Sequence, residues 1–378
     1  MATIVKAYHG FSAIGDNTQE SYKQLLLKKP LLSKLDNDKK NQIKTILKNV
    51  NHFRIKVSLN NLETTNRLIC EGPLKIRYAQ LILLKMKEFI DYKDSHFYAS
   101  NMNDFSPVGM RNTFRILSNQ NFDYDEETYL KGAIKAIKHL NPITPLLNIP
   151  NNLLSIIALE HKLKNSNVNF MGENSSSQAI DTAINRVSNF RFKEVFVLSS
   201  MFLHFNFVKY LLYFEHYSCM DILLHSPISE YAGGIIFQKV KSIENGQIEI
   251  LFNKSFPPIT TNKIFNLKGQ KVKNQIQKYQ NILIDNLSQI NLKLNNIDLI
   301  LFQGFHQGSL SILENDSKRF LDISPYSGYN LCSSAMALCH YACEFLNDNN
   351  NNIKSVLVIE QGIQGSLWAT IFQKNQGL

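Results

Sequence analysis

The stretch GENSSSQAIDTAINRV, Gly172 to Val187, holds residues whose types and spacing suit chemistry. A strand candidate, NVNFMG, runs into a glycine turn, a helix begins near Ser176, and a second strand candidate, EVFVLSS, follows. On that helix Ala179, Ile180, Ala183, Ile184 and Val187 share one face at the helical period of about 3.6 residues. Strand, tight turn, buried helix, strand is the layout of a nucleophile elbow, which presents a reactive side chain at a helix N-terminus, where the dipole favours an anion. The place of the nucleophile is taken by Asn174, whose amide does not attack at neutral pH. Ser175, Ser176 and Ser177 are the neighbouring alternatives. A serine nucleophile needs a base within hydrogen-bond reach, and serines at a helix start serve more commonly as caps, which is the expectation here.

A second group, Cys339, His340 and Cys343 in CHYAC, has the residue types of metal ligands. The surrounding MALCHYACEFL reads as an apolar helix on which small buried thiols are ordinary, so core packing is expected, with no metal and no cofactor. Five cysteines, an odd number without framework spacing, point to free thiols in a reducing compartment. The opening MATIVKAYHGF lacks the features of a secretory signal, and a cytoplasmic address is the expectation.

The elements that must position these residues alternate between apolar strand candidates and helices, the pattern of an α/β fold with sheets covered on both faces. ATIVKAYHGFSAIG reads as a strand ending in a small-residue turn, TQESYKQLLLKK as a helix stopping at Pro30, KIRYAQLILLKMKEFI as a long helix and SHFYAS as a strand. The prolines of NPITPLLNIPNNLLSIIALEHKL give an irregular approach to an apolar helix, and SEYAGGIIFQKV reads as a strand. The second half restarts with a basic helix around KVKNQIQKYQNILIDNLSQI, then the strand IDLILFQG and the small-residue helix YNLCSSAMALCHYACEF. An Asn-rich loop from Asn347 to Asn352, read as a flexible surface turn, leads to a last strand pair around SVLVIEQGIQGSLWATIF. No repeat with a period of about 20 to 50 residues is visible. The strand-helix logic still suggests two similar halves, residues 1-243 and 244-378.

At 44% hydrophobic and 19% charged, a chain of 378 residues buries a large core, which excludes general disorder. The most apolar window, Phe196 to Phe214, is interrupted by His204, Asn206 and Lys209, whereas a membrane span needs about 20 nearly unbroken apolar residues; a buried strand leading into a core helix is expected instead. The net charge of +10 favours an acidic partner. The basic residues are scattered and no nucleic-acid-binding signature is present, so nucleic acid is not the expected partner.

In order and spacing these pieces resemble the β-ketoacyl synthase branch of the thiolase superfamily, over almost the whole chain. GFSAIGDNTQESYKQLL is similar to the family's opening strand, turn and first helix, and the run from NPITP through GENSSSQAIDTAINRV to VFVLSS to its nucleophile region. SEYAGGIIF is similar to its GEGAG strand, NNIDLILFQG to the stretch ending in HGT, SGYNLCSSAMAL to a helix start with a conserved motif of small residues, and QGIQGSLWATIF to its glycine-rich turn and final strand. The resemblance implies a thiolase-like five-layer αβαβα fold and an obligate dimer.

Active members of the family use a Cys nucleophile, two His and a Lys. Carried over position by position, the resemblance puts Asn174 at the Cys, Gln303 at the first His, Ser324 at the Lys and Tyr329 at the second His, so no catalytic residue is expected. His306, three residues beyond Gln303, is the fallback for the first His. Glu230 keeps a carboxylate that mainly supports structure in the family, and Cys332 stands where the family has a glycine. The relatives that fit are the chain-length factors, inactive ketosynthase-like subunits of type II polyketide, aryl polyene and related systems; their usual Gln at the Cys position is Asn174 here. The implied partners are an active ketosynthase and an acidic acyl carrier protein. The implied tunnel wall and seam include Met110, Phe114, Phe170 and Met171, with the seam strand running from Val168 to Met171. The alternatives are a decarboxylase or acyltransferase using His306 or a serine of 175-177, and a homodimeric acyl-binding scaffold.

Overall fold

The computed structural model describes residues 1–31, 53–60, 62, 69, 74–102, 152–172, 174–189, 191–202, 227–256, 270–304, 319–362 and 366–377. Five strands come first: β1 (Ala2–Ser12), β2 (His96–Asn101), β3 (Asn167–Met171), β4 (Glu194–Met201) and β5 (Tyr231–Val240). Five more follow: β6 (Ile248–Phe256), β7 (Leu299–Gly304), β8 (Phe320–Asp322), β9 (Ser355–Gln361) and β10 (Leu367–Lys374). The helices among the described residues are α1 (Thr18–Leu26), α2 (Leu74–Met86), α3 (Asn152–His161), α4 (Ser175–Ser188), α5 (Gln270–Gln289), α6 (Ser324–Ser327) and α7 (Ser334–Asn347).

The strands run β3-β2-β4-β5-β1-β6-β10-β9-β7-β8. Counted within each half this is the order 3-2-4-5-1, written once forwards and once backwards, with the two first strands side by side. The directions repeat as well. β2 is parallel to β3 and β4, β5 is antiparallel to β4 and β1, and β7, β8, β9, β10 and β6 repeat the scheme. The two sets of five strands thus share one topology. β1 and β6 share only Ile4↔Glu249 and Val5↔Ile248. Beside that seam, Ala2 is the partner of Val240 and Lys374 of Ile248, and the Gly246 N–H donates to Asn375 O at 2.8 Å.

Side chains alternate across each strand, and this sorts the core into layers. One face of the first five strands (Phe97, Ala99, Phe196, Leu198, Ile236) packs on α2 and α3 through Ile76, Ile82, Leu83, Leu153 and Ile157. The opposite face (Tyr98, Val195, Val197, Ile235, Phe237) meets α4 and α7, which also pack on Leu299, Leu301, Val356, Val358 and Trp368 of the second five. Beyond them Ile300, Phe302, Leu357, Ile359 and Ile371 pack on Tyr279, Leu283 and Leu287 of α5. Helix, sheet, helix, sheet, helix is the five-layer αβαβα architecture that the resemblance implies.

The central helices read differently because their surroundings differ. α4 buries Ala179, Ile180, Ala183, Ile184 and Val187, the face set by its spacing. α7 lies in the middle layer and buries every residue from Ser334 to Leu346, as a helix apolar all round must. Two strands, β6 and β8, were not expected from the sequence. The Asn-rich loop is a surface turn, anchored at two points: Tyr22 OH donates to Asp348 at 2.8 Å, and Asn351 Nδ2 to Phe345 O at 3.0 Å. No helix of the described residues is long and apolar enough to cross a membrane.

Candidate functional site

β2, β4, β7 and β9 point their C-terminal ends the same way within each parallel group, and their inward-facing residues there turn from apolar to polar. Ser100, Ser199, Gln303 and Glu360 follow Tyr98, Val197, Leu301 and Val358 along the inner face and are all buried. The N-terminus of α4 and the segment Ser324–Asn330 close over this end, and the candidate residues lie here.

Asn174 is the N-cap residue of α4, and its Nδ2 donates to Ser366 Oγ at the start of β10. Gln303 is fully buried near the end of β7; its Nε2 donates to Gly328 O and, at 2.9 Å, to Asn330 Oδ1. Asn330 donates in turn to Ser229 Oγ at 2.7 Å. These acceptors fix the orientation of the Gln303 amide, and its Oε1 has no hydrogen-bond partner among the described residues. Leaving such an acceptor buried costs about 1–3 kcal/mol, a loss that calls for a local explanation. Ser324 Oγ accepts the Gly304 N–H at 3.1 Å, which ties α6 to the end of β7. Tyr329 is fully buried and its OH donates to Gln361 O at 3.4 Å, next to Gly362, which lies against Asn174. The structure therefore brings Gln303, Ser324 and Tyr329 into one cluster and reaches Asn174 through the β9–β10 connection.

The serines after Asn174 are not caps, contrary to the expectation. Ser175 Oγ pairs with Ser100 Oγ at 2.8 Å and donates to Asn101 O at 3.2 Å, Ser176 Oγ accepts the Ala335 N–H at 3.2 Å, and Ser177 Oγ donates to Asn174 O at 2.9 Å. They tie α4 to β2 and to the start of α7, because the middle layer brings two helix starts and two strand ends together. None of these partners is a base. Ser199 continues the knot, meeting Ser333 Oγ at 2.7 Å and Cys332 O at 3.1 Å. The Cys332 thiol is buried and pushed up to about 12 by desolvation, so it is no nucleophile. Glu230 accepts the Ile55 N–H at 2.9 Å, a structural role.

His340 is the one described histidine in the middle layer. Its Nε2 faces Gly234 O at 3.0 Å and so carries the proton, while Nδ1 accepts from Tyr231 OH at 2.6 Å. Burial takes its pKa down to about 3. Cys339 and Cys343 are buried with their thiols pushed up by desolvation, and no group of three metal-ligating side chains occurs among the described residues. The CHYAC residues are packing. Sequence reasoning missed what His340 requires: a Cβ on Gly10 or Gly233 would lie 2.6 Å from its ring.

Of the wall and seam residues, Phe170 is partly buried and stands 5.8 Å from Tyr98, centroid to centroid; Met171 and Val168 are exposed on β3, the edge strand. Met110, Phe114 and His306 lie outside the described residues.

No family model and no curated protein matches the chain. Solved structures do. A type II polyketide synthase acyl-carrier protein in complex with its ketosynthase bound to the hexaketide superposes with a TM-score of 0.68 at 13% identity, covering 99% of both chains. The ishigamide ketosynthase/chain length factor gives 0.67 at 11% identity, covering 99% of this chain and 100% of that one. A β-ketoacyl synthase from Burkholderia phymatum gives 0.66 at 12%, covering 99% of each. The chain has the thiolase-like fold of ketosynthases and chain-length factors. At these identities the likeness is one of fold, which does not by itself fix function.

Proposed function

We propose that this chain is a non-catalytic ketosynthase-like subunit, a chain-length factor, that pairs with an active β-ketoacyl synthase and shapes the tunnel in which an acyl chain grows. One observation supports the reading: Asn174 at the start of α4 and Gln303 near the end of β7, which the resemblance puts at the family's Cys and first His, are amides engaged with Ser366 and with Gly328 and Asn330. Ser324 and Tyr329 complete the set, and none of the four is a nucleophile or base poised at neutral pH. Fold likeness to a ketosynthase/chain length factor pair supports the same reading.

In this account β3 and its exposed Val168 and Met171 belong to the seam with the active subunit, and Phe170, Met110 and Phe114 to the tunnel wall. Residues 1-243 and 244-378 form the two halves, divided in the connection between β5 and β6. The net charge of +10 suits an acidic acyl carrier protein, whose affinity should then fall as salt rises. Native mass spectrometry of the tagged protein from its own cells tests the proposal. A one-to-one complex with a ketosynthase that has its Cys and both His is expected; a homodimer without such a companion overturns it.

A further inference from the structure

Asparagine is among the preferred N-cap residues because its side-chain oxygen can accept an N–H of the first turn. Asn174 occupies that place on α4 and makes no capping bond. Its amide reaches instead to Ser366, 192 residues along the chain. Forgoing a cap costs helix stability, and Asn174 Oδ1 is a buried acceptor with no partner among the described residues. Local stability is given up for a distant contact.

The far side of that contact is shaped to receive it. A Cβ on Gly362 would collide with both amide atoms of Asn174 and with Ser366 Oγ. The φ of Gly362 is not in the left-handed region, so what a side chain there would disturb is the contact itself, by displacing the Asn174 amide and the Ser366 hydroxyl. The Gly362 N–H donates to Ser366 O at 3.0 Å, so the two ends of the β9–β10 connection hold each other while Asn174 holds both. One residue earlier, Gln361 O accepts from Tyr329 OH.

We infer that Asn174, Gly362 and Ser366 form a clasp that holds the two ends of the β9–β10 connection to the start of α4, making Asn174 a positioning residue for the wall of the proposed tunnel. The clasp follows from the geometry; its effect on chain length rests on the function proposed above. Where a nucleophile would need freedom to receive and release an acyl group, this subunit holds a bolted joint. Its wall stays in one place while the partner's reaction cycle proceeds.

Two readouts separate the clasp from its consequence. In the first, amide hydrogen exchange is followed in the purified protein, in whatever assembly it is isolated. Asn174→Ala and Ser366→Ala are expected to speed exchange of the Gly362 amide by about tenfold or more, leaving β7 and α7 unchanged. Asn174→Asp should restore slow exchange, because its carboxylate accepts from the Ser366 hydroxyl and suits a helix N-terminus. Gly362→Ala should open the joint by steric means even if Asn174→Ala does not fold. Unchanged exchange at Gly362 in Ser366→Ala overturns the clasp. In the second, the complex with the active ketosynthase is assayed for product length. A broadened distribution for Asn174→Ala, restored by Asn174→Asp, is expected. Faster exchange with unchanged product lengths overturns the fixed wall and leaves the clasp standing.

Discussion

Asn174 can be located from sequence because the signals around it are local: a glycine turn on one side and the apolar spacing of Ala179, Ile180, Ala183 and Ile184 on the other. What its side chain does was not legible, since Ser366 lies 192 residues away. The same holds for Gly233 of YAGG, whose role depends on His340 in α7. Gly233→Ala would place a Cβ 2.6 Å from His340 Cε1 and 3.1 Å from Met336 Cγ. Overpacking of this kind costs about 1–3 kcal/mol, to be read as a lower urea midpoint with an unchanged slope. A second expectation concerns the chemistry itself. Asn174→Cys should create a thiol at the α4 N-terminus yet give no condensation of acyl and malonyl carrier substrates, because Gln303 and Tyr329 supply no imidazole.

At the scale of elements, β3 is the exposed edge, and its residues Val168 and Met171 present apolar surface that a lone edge strand ordinarily avoids. If β3 forms the proposed seam, Met171→Lys is expected to lower the fraction of chain recovered with the proposed ketosynthase partner while leaving the melting temperature of the isolated chain unchanged. Recovery equal to wild type would remove β3 from the seam. Most elements were legible because their signal was clean: the helical period in α4, and the largely apolar runs of β9 and β10. β6 was not, since IEILFNKSF mixes buried ends with half-exposed and exposed centres and shows no alternation to read. β8 is three residues long and exists only because β7 offers a parallel edge. α6, four residues opened by Ile323 and a proline in its first turn, is equally invisible to periodicity.

For the whole molecule, the buried His340 and the partly buried His9 set a pH dependence. His340 is held down to about 3 and His9 to about 4, mainly by desolvation. Both are neutral when folded, whereas the unfolded chain takes up protons below about pH 6.5. Their contribution to stability is therefore complete above that pH and is lost as pH falls, through the window down to about 4 for His9 and about 3 for His340. Urea unfolding at pH 7 and pH 5 should show a loss of about 2 kcal/mol from His340 alone, and His340→Gln should flatten that limb. The alternation of strands and helices pointed to sheets covered on both faces and the resemblance implied the five layers, but the repeated 3-2-4-5-1 strand order was in neither, because strand order is carried by contacts and not by similar residues. That topology has a consequence for connectivity. Val240 is the partner of Ala2, and Ile248 of Lys374, so the gap that the 241–247 connection spans is also the gap between the two outer strand ends. A circularly permuted chain that begins at Ile248, runs to Asn375, passes through a linker as long as that connection and ends at Val240 should keep every strand pairing. If it folds and melts cooperatively, as expected, the order in which the two halves are synthesised is a convention of this chain, one that the architecture can exchange without loss.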